Sequence, residues 1–354
     1  MKTRKIIILL FLATLFIPPS FACRFTIREI GYTPLQLQTY IMQLEVDTVA
    51  RKDLFREFLV VADDHSATAN IRYRITHKEG RREAVIALRN TRGITLASTT
   101  LTSPGEIESF YRKVLFSPLQ RTLERQIGNV FAFLVCFCDP GDREVDSRVE
   151  KALEQFRKLA PTLDKSVNEE IMKIVVPAAG RKNEEILLRA AGADPRGKDP
   201  VVMVLYGRGR LAGAPLEGEE ITKDNILNQL VMLGTDCECG IDLSPLLRRA
   251  IPLQWTKKMG QAAADMLGID VGNPMVLTEM SKILSKEPTT TVDEALTFAP
   301  RTIDLDKALG KNKSKTVPEE DHPSKALNRT LWITGTFFLL LLLAGTILFF
   351  VKKR

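Results

Sequence analysis

Short apolar runs alternate with segments whose apolar residues recur at helical spacing through the second half of the chain. Asn129–Cys138 is a continuous apolar run, which predicts a central strand buried on both faces. Val149–Leu159 has its apolar residues at helical spacing and predicts a helix. Ile171–Val176 predicts the next strand, and a helix over Asn183–Ala191 follows it. This part of the chain therefore begins as strand, helix, strand, helix.

The same part continues with a hairpin and a final helix. Asp199-Pro200 introduces a strand over Val201–Tyr206, and Arg210–Pro215 is expected to pair back after a Gly207-Arg208-Gly209 turn. Thr222 is expected to cap a helix that runs through Leu233. The complete order is β-α-β-α-β-β-α.

That order, with an X-Pro dipeptide before the third strand, resembles the thioredoxin-like fold over about residues 128–235. In that family the proline is usually cis and borders the active-site groove. The resemblance therefore implies that Pro200 is a candidate binding residue. It rests on element order, because the chain has no Cys-x-x-Cys motif.

The first half predicts a related but shorter arrangement. The predicted elements are strand Tyr40–Val46, helix Arg51–Val61, strand Ala69–His77 with Ile71, Tyr73 and Ile75 on one face, hairpin Glu83–Arg89 and Ile94–Leu101, and a helix to about Leu115 opened by a Ser103-Pro104-Gly105-Glu106 capping box. Only Lys78–Arg82 separates the second and third strands, so the middle helix of the fold is absent. We expect a shortened thioredoxin-like half, with a generic α+β module as the alternative.

These elements predict an α/β protein, α+β in its first half, with two tandem thioredoxin-like domains. The first covers residues 23–127 and the second residues 128–284, which include a helical extension at Met259–Leu267. Residues 285–330 are rich in Pro, Thr, Lys and Asp and predict a flexible stalk.

The two ends of the chain predict a membrane topology. Residues 1–22 have the basic, apolar and small-residue parts of a secretory signal, with an uncleaved anchor as the alternative and lipid attachment at Cys23 as a lesser one. Leu331–Val351 is an uncharged run long enough to span the lipid bilayer, and the basic residues 352–354 follow it as a cytoplasmic tail. We expect a single-pass protein of the cell membrane whose N-terminal ectodomain lies outside the cytoplasm.

The charge of the chain is concentrated at these ends. The sequence has 50 Lys and Arg against 43 Asp and Glu, a formal charge of +7. Residues 1–22 and 331–354 each hold three bases and no acid, which leaves 44 bases against 43 acids in residues 23–330. This distribution excludes a chain-wide polybasic protein, and no nucleic-acid partner is expected.

Four of the five cysteines form two Cys-x-Cys pairs. Cys136-Phe137-Cys138 departs from the redox motif of the resembled family because one residue separates the thiols, the pair lies on the strand, and Asp139 would raise a neighbouring thiol pKa. Small core residues are the favoured interpretation of this pair, with redox thiols as the alternative.

Cys237 and Cys239 follow a helix in a turn-like sequence that begins at Asp236. They could close a small, strained, reducible disulfide, or with Asp236 or Glu238 hold copper or zinc, or form a plain structural disulfide. No cofactor is expected, with copper or zinc as the alternative. The fold would place this pair and the first pair at opposite poles.

Arg208 and Arg210 are predicted to lie on a hairpin turn, where an anion or an acidic partner could bind. With only three histidines in the chain, a histidine-based triad is not expected. The sequence thus favours a non-catalytic binding or scaffold module with an extracytoplasmic protein partner. The alternative is a membrane-bound thiol–disulfide or metal-thiolate protein acting through Cys237 and Cys239.

Overall fold

The computed structural model describes residues 25–285 except 82, 164, 166–169 and 237–241, and these form nine strands and ten α-helices. The strands are β1 (Tyr40–Val46), β2 (Ile71–His77), β3 (Ala84–Arg89), β4 (Thr95–Leu101), β5 (Ala132–Phe137), β6 (Ile171–Val176), β7 (Val201–Tyr206), β8 (Arg210–Leu211) and β9 (Leu216–Glu217). The α-helices are α1 (Ile27–Gly31), α2 (Lys52–Ser66), α3 (Gly105–Leu115), α4 (Pro118–Gln126), α5 (Arg143–Leu159), α6 (Glu185–Ala191), α7 (Lys223–Gly234), α8 (Ser244–Arg248), α9 (Lys257–Leu267) and α10 (Pro274–Leu284).

The first sheet has the strand order β2-β1-β3-β4. β1 runs parallel to β2, whereas the β1–β3 and β3–β4 pairs are antiparallel. β1 buries alternate residues, as a strand covered on one face does. β2 is an edge strand: Tyr73 is 41% exposed, although its ring still contacts Phe58 of α2. The predicted apolar face of β2 is therefore only partly covered.

The second sheet has the order β6-β5-β7-β8, and β9 pairs with β7 beyond that path. β5 is parallel to β6 and antiparallel to β7. Every residue of β5 is buried, which confirms the predicted central strand. The mixed α/β class with two sheets is also confirmed.

The two four-stranded paths have the same order and the same strand directions along the chain. In each, the first strand is central, the second is its parallel edge neighbour, and the third and fourth follow antiparallel on the other side. The sheets differ in the connection from the second strand to the third. A short loop joins β2 and β3, whereas a 3-10 turn (Ala178–Glu184) and α6 lie between β6 and β7.

The N-terminal segment packs with the second sheet, although the predicted first domain covered residues 23–127. Phe25, Ile27 and Ile30 belong to the core beside β5 and α5. Arg28 donates hydrogen bonds of 3.1 Å to the carbonyl oxygens of Val130 and Phe131 at the start of β5. The chain thus contributes to the core of the second sheet before it forms the first sheet.

Two helix starts test the predicted caps. The Thr222 hydroxyl accepts a hydrogen bond from the Asn225 N–H at 3.1 Å, so the predicted cap of α7 is confirmed. The predicted capping box at Ser103 is wrong, because α3 begins at Gly105 and no side chain caps it. The Glu106 carboxylate reaches back one residue further, and it accepts hydrogen bonds of 2.7 Å from the N–H and hydroxyl of Thr102.

The predicted signal segment, most of the stalk and the predicted membrane span lie outside the described residues. Within residues 25–285, no described helix combines the length and the apolar character needed to cross a membrane.

Candidate functional site

The carboxyl ends of the parallel strands β5 and β6 meet at one edge of the second sheet, beside the start of α5. Cys138 follows β5 directly, and Asp142 caps α5 by accepting a hydrogen bond from the Val145 N–H at 3.1 Å. A cavity of about 300 Å³ opens here, and both Cys136 and Cys138 line it. This cavity, which we call the thiol cavity, is the position at which the thioredoxin-like resemblance would place reactive thiols.

Both thiols of this cavity are reduced, and neither is activated. Cys136 is 1% exposed, and burial, with a smaller contribution from Cys138, raises its pKa to about 12. The pKa of the half-buried Cys138 thiol is also raised, chiefly by burial and then by the negative charge of Asp142. A thiol with a raised pKa is rarely ionised at neutral pH, and the thiolate is the form that attacks disulfides or binds metals.

Carboxylates and one lysine complete the polar lining of the thiol cavity. Lys173 of β6 forms ion pairs with Asp146 at 2.5 Å and with Glu150 at 2.6 Å. Asp139 accepts a hydrogen bond from the Ala178 N–H at 3.3 Å. Lys173 lowers the pKa of both thiols, but burial raises these pKa values more strongly and its partner Asp146 also raises them.

A larger cavity of about 650 Å³ adjoins Asp139 on the other side. Its charged lining consists of Arg181, Lys182, Arg196, Lys198, Asp139 and Glu185. The four cations outnumber the two carboxylates, so we call it the basic cavity. Glu185 is in turn paired with Arg189 at 2.7 Å. Lys182, Arg196 and Lys198 are exposed and have no ion pair within the described part of the chain.

Arg181 builds the floor of the basic cavity. It is 6% exposed, and it donates hydrogen bonds to the carbonyl oxygens of Phe137 at 2.8 Å and Asp199 at 2.5 Å, as well as to that of Gly197. Because these carbonyls belong to the end of β5 and to the loop before β7, Arg181 fixes both walls of the cavity. Sequence reasoning missed this residue, whose only signal was a basic pair, Arg181-Lys182, after an apolar strand.

Pro200 stands directly before β7, at the same edge of the sheet. No peptide bond in the described residues is cis, so the Asp199–Pro200 bond is trans, unlike the cis bond that the resemblance implies as usual. The Pro200 carbonyl accepts a hydrogen bond from the Gly218 N–H at 3.2 Å. Pro200 is half-buried beside the basic cavity but does not line it.

Arg210 does not form the exposed anion site that its place after a turn predicted. It is 0% exposed, and its guanidinium donates hydrogen bonds to the carbonyl oxygens of Gly31 at 2.8 Å, Thr33 at 2.7 Å and Leu35 at 2.8 Å, and to that of Leu247. The prediction fails because the N-terminal segment folds over the turn and supplies three of these carbonyls, those of Gly31, Thr33 and Leu35. Arg210 joins segments that are distant in sequence.

Arg208, on the same turn, contacts an aromatic ring and a cavity instead of backbone carbonyls. Its guanidinium carbon lies 4.7 Å from the centre of the Trp255 ring, and the side chain lines a third cavity, of about 290 Å³. Burial, with a smaller effect of Arg210, lowers the pKa of Arg208 to about 10. Trp255 also packs edge-on against Tyr32 at 6.1 Å between ring centres. The sequence thus identified a binding candidate in Arg208 but not its surroundings.

The second cysteine pair lies outside the described residues. Cys237 and Cys239 belong to 237–241, and only Asp236 of that candidate metal set is described, where it forms an isolated β-bridge with Thr26. Across the described ranges, no group of three or more His, Cys, Asp or Glu side chains is arranged to hold a metal ion. The proposals about Cys237 and Cys239 therefore remain predictions.

No protein-family model matches this chain, and no curated protein matches its sequence.

Proposed function

We propose that this protein is a membrane-anchored, non-catalytic binding module with two thioredoxin-like halves outside the cytoplasm, and that it binds an acidic segment of a protein partner in the basic cavity. The repeated strand order and directions support the two halves. The anchor and its side of the membrane rest on residues 1–22 and 331–354.

The observation that carries the proposal is the contrast between two neighbouring cavities at one sheet edge. The thiol cavity contains thiols whose pKa values are raised, so it is poorly suited to nucleophilic chemistry. The basic cavity is about twice as large and presents unpaired cations around a rigid, buried Arg181. Arg and Lys side chains in a concave site recognise carboxylates by charge-assisted hydrogen bonds.

The test uses the full chain in mild detergent and a fluorescent peptide rich in Asp and Glu, with a Lys-rich peptide for comparison. We expect saturable binding of the acidic peptide that weakens as salt rises. The variant Lys182→Glu/Arg196→Glu/Lys198→Glu should reduce the affinity at least tenfold, because reversed charges repel the ligand.

The matched control is Lys257→Glu/Lys258→Glu/Lys282→Glu, which makes the same change in net charge at exposed positions of α9 and α10. It should bind the acidic peptide nearly as wild type does. Equal loss of affinity in both variants would show a general charge effect and would reject the basic cavity as the site.

The alternative function, thiol–disulfide or metal-thiolate chemistry, has its own test. Replacing Cys237 and Cys239 together by Ser should leave peptide binding unchanged if the binding proposal is correct. Disulfide reductase activity of the wild-type chain that disappears in this double variant would instead establish the alternative.

A further inference from the structure

Beyond the proposed protein-binding role, a separate site is indicated by the surroundings of Arg208. Within the described part of the chain, the guanidinium of Arg208 makes no hydrogen bond and no ion pair, and its Nε is buried. Most buried charges in proteins are paired, because removing an unpaired charge from water is costly. Its contact with the Trp255 ring offsets only part of that cost.

The contrast with Arg210 on the same turn shows that the Arg208 guanidinium lacks hydrogen-bond acceptors among the described residues. Arg210 is buried with four carbonyl oxygens around its guanidinium, so its donors are satisfied by the chain itself. Arg208 lies two residues away, and its side chain contacts Trp255 and lines an open cavity. An acceptor for its N–H groups has to come from outside the described residues.

The cavity beside Arg208 has the charge expected of an anion site. It lies between the start of β2, the Pro34–Thr39 loop and Trp255, and its charged lining consists of Arg208 and Arg72. No Asp or Glu lines it. Its volume of about 290 Å³ is at the small end of the range for ligand sites, which suits a small molecule better than a peptide.

The backbone holds Arg208 rigidly in place. The Arg208 N–H donates to the Gly31 carbonyl at 3.2 Å, and the flanking residues Gly207 and Gly209 both have left-handed φ angles, of 49° and 73°. A guanidinium presented from a fixed turn loses little freedom when it binds an oxyanion with two parallel hydrogen bonds.

We propose that the cavity formed by Arg208, Arg72 and Trp255 binds a small oxyanion, a phosphate or carboxylate group that pairs with the Arg208 guanidinium. The site is distinct from the basic cavity, since the two share no lining residue. A failure of the protein-binding proposal would therefore leave this one standing, and the reverse also holds.

The test exploits the tryptophan content of the chain. The sequence has two tryptophans, Trp255 and Trp332, so Trp332→Phe in the full chain leaves Trp255 as the sole emitter. Sodium phosphate and sodium acetate are titrated separately, with sodium chloride keeping the ionic strength constant. We expect a saturable change of Trp255 fluorescence and a rise of the thermal midpoint with at least one of the two anions. The anion that acts identifies the oxyanion class.

The key variant is Arg208→Met, which keeps an unbranched side chain over the indole but removes the charge. It should abolish the fluorescence change and the thermal shift, whereas Arg208→Lys should lower the affinity at least tenfold. Arg74→Met is the matched control, because Arg74 is exposed on the same strand as Arg72 and does not line the cavity. It should respond as the parent chain does.

The same variant separates an anion site from a structural role. Without added anion, Arg208→Met should keep or raise the thermal midpoint, because it removes a partly buried charge that has no ion pair in the described part of the chain. Anion responses that persist in Arg208→Met, or that follow ionic strength without saturating, would overturn the proposal. Should Arg208→Met fail to fold, Arg72→Met at the exposed rim provides the same comparison, and an unchanged affinity there would also overturn it.

Discussion

The Nε of Arg210 lies 2.8 Å from the carbonyl oxygen of Gly31, a hydrogen bond across 179 residues of chain. The Arg210 guanidinium also holds the carbonyls of Thr33 and Leu35, so one buried side chain attaches the N-terminal segment to the β7–β8 turn. The turn that carries Arg208 is positioned by this attachment. The stability of the segment and the geometry of the anion cavity are therefore linked.

Arg210→Met should destabilise the protein by about 3 kcal/mol or more, because buried carbonyl oxygens lose their donors. The measurement is the free energy of unfolding of the full chain from urea titration. Arg92→Met, at an exposed turn, serves as the control and should change that free energy by no more than about 0.5 kcal/mol. Equal effects of the two changes would contradict the structural role of Arg210.

Gly207 tests the close approach of the turn to the N-terminal segment. It has φ of 49°, and a Cβ at this position would overlap the Gly31 carbonyl group. Gly218 has a similar φ of 52°, but a Cβ there would meet no atom within 4 Å. Gly218→Ala should cost about 1 kcal/mol through its left-handed backbone alone. Gly207→Ala should cost about 2 kcal/mol more, because the overlap forces the two segments apart.

The pair of glycine variants is compared by thermal and urea unfolding of otherwise identical chains. A loss of stability that is the same for both would mean that Gly207 is required only for its backbone angle. A larger loss of stability for Gly207→Ala, with a weaker fluorescence response of Trp255 to anions, would show that the contact between Gly207 and Gly31 positions the turn.

The thiols of the thiol cavity should react in a fixed order. Cys138 should be alkylated faster than Cys136, because Cys136 is nearly inaccessible and its pKa is about 12. Asp142→Asn should speed the alkylation of Cys138, since it removes a negative charge that raises the thiol pKa and keeps a residue able to cap α5. Peptide mapping by mass spectrometry assigns each modified cysteine.

The control for this change is Asp63→Asn, an exposed carboxylate on α2 that does not line the thiol cavity. It should leave the alkylation rates of both thiols unchanged. Faster reaction of Cys136 than of Cys138 in the wild-type chain would contradict the burial of Cys136.

The sequence predicted the strands of this protein better than its helix boundaries or its sites. Tyr40–Val46, Ile171–Val176 and Val201–Tyr206 occur with the predicted bounds, because each is an apolar or alternating run whose ends are marked by polar residues, Pro or Gly. In contrast, α4 was not predicted, although Ser117 and Gln120 form a capping box at its start. Leu119 and Leu123 are its only large apolar residues, so no apolar run in the sequence marks the helix.

The candidate site residues were harder to predict because their surroundings come from distant parts of the chain. Arg208 and Arg210 are two residues apart and chemically identical, yet one faces a cavity and the other is surrounded by carbonyls. That difference depends on where the Gly31 segment packs, and no local pattern encodes it. Arg181 was missed for the same reason, since its partners Phe137 and Asp199 lie 44 and 18 residues away.

Glu124 of α4 should make stability depend on pH. Burial, opposed weakly by Arg121, raises its pKa to about 7, and its Oε1 is buried without a hydrogen-bond partner in the described part of the chain. Between its ordinary pKa of 4.5 and about 7, the folded state holds a proton that the unfolded state has lost. The contribution of Glu124 to the free energy of unfolding is therefore largest below pH 4.5 and declines as pH rises to about 7.

Glu124→Gln removes this decline, because the amide stays neutral at every pH in the range. Relative to wild type, the variant should gain about 1 kcal/mol between pH 5 and pH 8, a value discounted because the carboxyl is only partly buried. Urea unfolding at both pH values measures it, and Glu219→Gln, at an exposed position, should show no such gain. A stability difference between Glu124→Gln and wild type that does not change with pH would show that Glu124 stays ionised in the folded protein.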